Sequence, residues 1–410
     1  MHPSLDIQGS GSKRLRGKKV VLAMTGSVAL VKGFELCREL MRRGAQVQIV
    51  MSPAAQRLVS AELMHYASAR KPIVEITGRV EHVEWFGEKG KGDLLLIAPA
   101  TANTISKIAL GVDDTPVTTF ATTAIGSNKP VILVPAMHGS MYRHVVVKKN
   151  LGLLKQKGVS VMEPLIAEGK AKLAGVHDVV LEAERAILRG ELDGAKVVVS
   201  AGTTQEKIDP VRVLTTRASG LTGLEIAREA YRKGASVTLL HNHNAAESGI
   251  KQVQYSTSAE MKRALMKELK GATYFISSAA VGDFTIAGKR SKTQGSKEKI
   301  KSGSGLTIAL KPSEKIISVV REKFPNLFIA GFKAETNKTK KQMIELCKTF
   351  MRTNNLQMVV GNDVAKQGMG TETNKVVILS ASKGAGKTAN PIWVSGEKQK
   401  IAESIVGMLN

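Results

Sequence analysis

The sequence predicts an α/β protein built from two doubly wound, Rossmann-like parallel-sheet domains in tandem. Three observations carry that expectation. The chain has 410 residues, more than one hydrophobic core usually serves. Its composition, 43% hydrophobic and 23% charged, is globular rather than disordered. One strand–helix–strand unit is also written twice, with the endings RELMRRGAQVQIV and REAYRKGASVTLL.

The first unit opens with the apolar run Val20 to Met24, which ends in Thr25-Gly26-Ser27. A helical pattern follows through Arg43 and stops at Gly44, and a second apolar run covers Val47 to Met51. The second unit opens with Lys196 to Gly202, carries a helix to Lys233, stops at Gly234 and resumes at Val237 to Leu240. Glycine suits both stops, because the left-handed conformation that closes a helix costs it nothing. The second copy is longer by the segment EKIDPVRVLTTRASG, Glu206 to Gly220, placed between strand and helix. Loops at this edge of a parallel sheet bind ligands, so the insertion is a candidate substrate loop.

The later strands follow the same logic. Asp93 to Ala98 leads into Pro99 to Asn103, and Val131 to Val134 leads into Pro135, Ala136, Met137 and His138. In the second half Tyr274 to Ser277 leads into Ala279 to Asp283, Phe328 to Ala330 into Gly331 to Thr336, and Met358 to Val360 into Gly361 to Asp363. Small and polar residues are expected just after each strand, and strands alternating with helices imply a parallel sheet. The segment RGELDG, Arg189 to Gly194, interrupts helical periodicity and divides the chain into 1–189 and 190–410.

The net charge of +25 raises the question of nucleic acid. Basic residues are spread along the chain, with one dense run from Lys289 to Lys301, and no zinc-finger or RNA-recognition pattern accompanies them. Aromatics are only 4%, too few for base-stacking platforms. The other readings of the charge are a basic proteome or a lysine-rich surface around sites for phosphorylated small molecules. Cys37 and Cys347 lie in helix-like stretches and read as core residues, which fits a reducing cytoplasm. No apolar run approaches the roughly 18–20 residues of a membrane span, and Met1 to Arg16 is polar and Gly/Ser-rich.

Neither first turn carries G-x-G-x-x-G, and no acidic residue stands at the ribose position, which argues against a dinucleotide dehydrogenase. Gly26 and Ser27 before a helix still offer N–H groups and a hydroxyl to one phosphate, as a mononucleotide such as FMN requires. The string GAGKT, Gly384 to Thr388, lacks the phosphate-loop spacing and reads as a loop.

The strings TGSVALVK, EHVEW, APATANTISKIA, PAMHGSMY, IDPVR, AAVGDF, EKIK, GFKAET and GNDV occur in one order along nearly the whole chain. In that combination the sequence resembles the bifunctional phosphopantothenoylcysteine decarboxylase / phosphopantothenate–cysteine ligase family of coenzyme A biosynthesis, and its archaeal members best. The resemblance implies that the first half uses FMN as a temporary electron store while a cysteinyl carboxylate leaves as CO₂. Gly26 and Ser27 would hold the FMN phosphate, and Thr101 and Asn103 would line the flavin site. His82 would be the active-site histidine, a group suited to proton handling near neutral pH. Met137 and His138 would bind substrate, His138 standing where bacterial members have asparagine. The bacterial flap cysteine is missing from EGKAKLAG, Glu168 to Gly175.

For the second half the resemblance implies a ligase. CTP or ATP, with Mg²⁺, would activate the carboxylate of 4'-phosphopantothenate as an acyl-nucleotide, which the amine of L-cysteine attacks. Asp283 would approach the ribose or the metal, and Lys299 and Lys301 the phosphate oxygens, under a lid from Gly288 to Gly305. Phe332 would pack on the base, backbone around Ala279 to Asp283 would select it, and Asn362 and Asp363 would close the pocket. Thr216 stands where the family has an asparagine for the substrate carboxylate. The family's assembly implies a homo-oligomer with FMN at a trimeric interface and a ligase half that dimerises. The alternative is a divergent member with one or both activities lost, acting as a flavin-binding regulatory protein.

Overall fold

A computed structural model describes residues 2–242, 249–287, 299–300, 306–365, 370–381 and 389–409. The chain divides into two compact units, Met1–Leu188 and Arg189–Asn410.

In the first unit β1 (Lys19–Met24), β2 (Gln46–Met51), β3 (Leu94–Ala100) and β4 (Val131–Pro135) form the main sheet. A two-residue pair, β5 (Met137–His138), follows at once, and β6 (Ser160–Val161) closes the sheet edge. The order is β2-β1-β3-β4-β6, and every pairing is parallel. Counted along the chain this is the 2-1-3-4-5 order, in which the direction of winding reverses between β1 and β3. The strands are almost continuously apolar because helices cover both faces, and β3 is buried at every position. Helix α1 (Gly33–Arg42) lays Leu36, Cys37, Leu40 and Met41 on one face of the sheet. Trp85 and Phe86 of the short helix α2 (Glu81–Phe86) join Phe120 on the other. A hairpin, β7 (Leu165–Ala167) with β8 (Lys170–Lys172), pairs back onto β5.

The second unit is built on β9 (Lys196–Ser200). The inserted segment after it is no plain loop: β10 (Gln205–Lys207) pairs antiparallel with β11 (Val213–Thr215). The larger sheet continues with β12 (Ser236–His241), β13 (Lys251–Gln254) and β14 (Tyr274–Ser277). A separate ribbon joins β15 (Phe284–Ile286) to β16 (Leu310–Pro312). The sheet is completed by β17 (Phe328–Glu335), β18 (Met358–Asp363), β19 (Thr373–Ser380) and β20 (Ile392–Glu397). Its order is β13-β12-β9-β14-β17-β18-β19-β20. The first six strands are parallel in the 3-2-1-4-5-6 order, whose winding reverses between β9 and β14.

Two features differ from the sequence expectation. β19 and β20 run antiparallel, so the sheet is mixed. Antiparallel neighbours need only a short connection, and an added edge pair of this kind is common on large α/β sheets. β17 and β18 are also longer than expected. Gly331 to Glu335 and Gly361 to Asp363 are paired strand residues rather than loop. No helix among the described residues is long and apolar enough to cross a membrane.

Candidate active sites

The first unit holds a cavity of about 550 Å³ at the carboxyl ends of its central strands. Gly26 and Ser27 reach it from β1, Ser52 and Ala54 from β2, Thr101, Asn103 and Thr104 from β3, and Ala136 and Met137 from β4. Glycine is required at position 26, since a Cβ there would stand 2.5 Å from the Cβ of Ala54. Buried Thr25 joins the two strand ends that flank the reversal. Its Oγ1 donates to the Pro99 carbonyl at 2.7 Å and accepts from the Thr101 N–H at 3.1 Å. Thr101 then caps helix α3 (Ala102–Leu110), accepting from the Thr104 N–H at 3.3 Å, while Asn103 is exposed on its first turn. Ser27 caps the turn Val28–Lys32.

The donor set fits a phosphorylated, planar ligand. Hydroxyls and helix N-termini line the cavity with Arg57 and Lys107, and Val28, Ala136, Met137 and Met141 supply apolar wall. The volume lies within the usual range for a small-molecule site. These residues therefore fit a cofactor of FMN's chemistry.

A second cavity of about 430 Å³ shares Ser27, Val28, Ala136 and Met137 with the first. Its remaining wall combines Ala29, Ala171 and Leu173 with the basic Lys32, His138, Lys170 and Lys172. His138 lies opposite Lys170 in the β5–β8 ladder, so the two side chains share a face of the ribbon. The Lys172 ammonium pairs with Glu168 at 2.9 Å. The β7–β8 hairpin carries no thiol, and the two cysteines of the chain are buried in the separate cores.

His82 lines neither cavity. It sits on α2, whose first turn is held by the Glu81 carboxylate accepting from Thr77 N–H at 2.9 Å and Thr77 Oγ1 at 2.6 Å. The ring is half-buried, and its Nδ1 has no hydrogen-bond partner among the described residues.

The second unit has a smaller cavity, about 140 Å³, at its own reversal between β9 and β14. Ala279, Phe332 and Asn362 line it together, with Gly202, Ser278 and the Ser219–Gly223 turn. Three other residues singled out from the sequence lie elsewhere. Asp283 is exposed and pairs with Lys315 at 2.5 Å. The Asp363 carboxylate accepts from the N–H groups of Asn337, Lys338 and Ala365 and so fixes a turn. Thr216 bonds Oγ1 to Oγ1 with Thr203 at 2.7 Å, inside a threonine cluster at the hairpin base.

Lys299 is exposed, but its neighbour is anchored. The Ile300 N–H donates to Asp209 Oδ2 and its carbonyl accepts from Arg212, both at 3.3 Å. Asp209 is buried and also accepts from the Val211 and Arg212 N–H groups and the Arg212 guanidinium. Burial pushes its carboxyl up, yet these donors together hold it below the usual carboxylate range. Lys301, most of the expected lid and Gly384 to Thr388 lie outside the described residues. Among the described residues no group of three acidic, His or Cys side chains could hold a metal.

Some lining residues were not singled out from the sequence. Ser52 had a signal, since Ser52-Pro53 follows β2 as the other polar turns follow theirs. Lys398 had none.

Comparison with known proteins places both units. The family described as flavoprotein matches residues 8–187, and the DNA/pantothenate metabolism flavoprotein C-terminal domain matches residues 192–410. The coenzyme A biosynthesis bifunctional protein CoaBC of Thermococcus kodakarensis is 42% identical over 91% of both chains. That of Methanocaldococcus jannaschii is 33% identical over 99% of this chain and 96% of its own. The solved DNA/pantothenate metabolism flavoprotein from Streptococcus pneumoniae covers 52% of this chain and 97% of its own, at 21% identity and TM-score 0.44. With both domain families matched end to end, this chain belongs to the bifunctional coenzyme A biosynthesis family, whose members carry phosphopantothenoylcysteine decarboxylase and phosphopantothenate–cysteine ligase activity.

Proposed function

We propose that the first unit binds FMN between Gly26, Ser27, Thr101 and Asn103, and that the second joins 4'-phosphopantothenate to L-cysteine at the expense of CTP or ATP with Mg²⁺. The observation that carries this is convergence. Loop ends from four strands of the first sheet meet around one cavity, and those of the second sheet bring Ala279, Phe332 and Asn362 around another. Bound FMN supplies a reversible two-electron store, without which the cysteinyl carboxylate has no electron sink when CO₂ leaves.

The protein's own groups do the rest. A carboxylate that sheds CO₂ gives up its charge, so an apolar wall favours its departure and a cation restrains it. The reacting end of the substrate therefore lies against Ala136 and Met137, and its phosphate end against Lys32, Lys170 and Lys172. His82 moves the proton of the thiol, and its position away from the cavity within one chain fits a homo-oligomer in which neighbouring copies share the site. With no thiol on the hairpin, the returning proton comes from another residue or from solvent. In the ligase unit Lys299 compensates charge on the phosphates, next to the point where Asp209 fixes the chain. Lys301 shares that task.

The test is incubation with 4'-phosphopantothenate, cysteine, Mg²⁺ and either nucleotide, with mass detection of both products. The flavin spectrum and pyrophosphate are followed separately. His82→Asn is expected to stop CO₂ release and keep its flavin, and Lys299→Gln to suppress pyrophosphate release. Full turnover in either variant removes that residue's role.

A further inference from the structure

The ligase cavity contains a charge that the reaction outlined above does not use. Lys398 is the first residue of the helix Lys398–Val406, here α5, and is only 4% exposed, yet it lines this cavity. Its ammonium makes one hydrogen bond among the described residues, to Ser219 Oγ at a long 3.4 Å. A buried ammonium has three donors to satisfy and a large desolvation cost. Burial draws Lys398 below the ordinary lysine range, and Glu372 nearby pulls the other way.

Among the described residues the rest of the wall carries no other charged side chain but offers hydrogen-bond donors. Helix α4 (Leu221–Arg232) begins at the cavity with Gly220 as its cap, which makes no side-chain cap bond among the described residues. Helix α5 likewise starts without a side-chain cap. The N-terminus of α4 and a buried cation thus meet at one small space, and each favours an anion. Asn374 lines the same space and is 5% exposed; its side-chain oxygen accepts from the Lys375 N–H, which leaves its amide hydrogens. Ser219 and Ser278 add hydroxyls. Gly223 keeps the wall thin, since a Cβ there would lie 2.5 Å from Ser278 Oγ. At about 140 Å³ the space is large enough for a tetrahedral oxyanion.

We propose that Lys398 is the buried cation that binds a phosphoryl group at the N-terminus of α4, making the C-terminal helix part of the ligase site. The inference rests on the ligase reading and deepens it. The phosphoryl group could belong to the nucleoside triphosphate or to the phosphomonoester of 4'-phosphopantothenate, and the experiment separates them.

Calorimetric binding of CTP, ATP, 4'-phosphopantothenate and unphosphorylated pantothenate would be compared between the wild-type chain and Lys398→Met, with melting temperatures of both unliganded proteins. Methionine keeps the packing and removes the charge. The expected result is at least a tenfold loss of affinity for a phosphorylated ligand, with a melting temperature unchanged or raised because a buried ammonium has gone. A loss confined to the nucleotides assigns the triphosphate. One confined to 4'-phosphopantothenate, with pantothenate unaffected, assigns the phosphomonoester. Lys398→Gln, which keeps a donor but no charge, should lose affinity likewise, and it replaces the methionine variant if that does not fold.

Unchanged affinities in the folded variants overturn the proposal. So does an affinity loss that always comes with a lower melting temperature, which would make Lys398 a strut. Wild-type protein that binds none of the phosphorylated ligands overturns the ligase reading, and this inference with it.

Discussion

At the scale of single residues, the chemistry depends on where thiols and carboxylates stand. Burial lifts the Cys37 thiol to about 12 and the Cys347 thiol to about 11, so neither supplies thiolate at neutral pH. Both thiols are also buried in the cores, so the reductive step proposed for this chain has no thiol on the β7–β8 hairpin to draw on. Iodoacetamide treatment of the native enzyme should leave CO₂ release and product formation unchanged, and the double variant Cys37→Ser, Cys347→Ser should retain both. Inactivation by either route would place a thiol at the site after all. Asp209 works in the opposite direction. Its folded pKa is depressed, so its contribution to stability is fully present above the unfolded value of about 3.9 and disappears as pH falls through the folded one. Asp209→Asn should melt below wild type at pH 7, and the gap should close in acid below about pH 4. A gap independent of pH would mean that the carboxylate charge is not what holds Ile300.

At the scale of elements, the strand–helix alternation was legible because buried parallel strands are uninterrupted apolar runs and glycine marks both helix stops. The ends of elements were less so. Gly331 to Glu335 and Gly361 to Asp363 look like loops by composition, but they pair with each other as strand, because main-chain pairing tolerates small and polar side chains. The inserted hairpin was seen as a substrate loop, though its β10–β11 pairing depends on contacts that no local pattern encodes. Lys398 was invisible for a related reason, since its hydrogen-bond partner lies 179 residues away. The turn after β1 was legible and is also the most exacting. Gly26→Val would force a side chain into Ala54, with an overpacking cost of about 1–3 kcal/mol. The variant should purify without yellow colour while its ligase activity persists. Normal flavin content would mean that the loop yields at no cost to the cavity.

At the scale of the whole molecule, the chain has two units with separate hydrophobic cores. Separate cores give separate unfolding transitions, and a ligand raises only the transition of the unit it binds. Scanning calorimetry with added FMN should shift one transition, and CTP or ATP with 4'-phosphopantothenate the other. A saturating ligand at a hundred times its dissociation constant adds about 2.7 kcal/mol, a shift of a few degrees. If either ligand moved both transitions together, the units would be coupled in solution.

The antiparallel pair β19–β20 gives this arrangement a direction in time. Every described residue lining the two cavities of the first unit lies at or before Leu173, whereas the ligase cavity is lined by Lys398, which directly follows β20 as the first residue of α5. Domains fold in order as they leave the ribosome. On a nascent chain the flavin pocket can therefore close long before the ligase pocket exists. A message cut short after β18 would yield a coloured protein that cannot complete the ligase cavity.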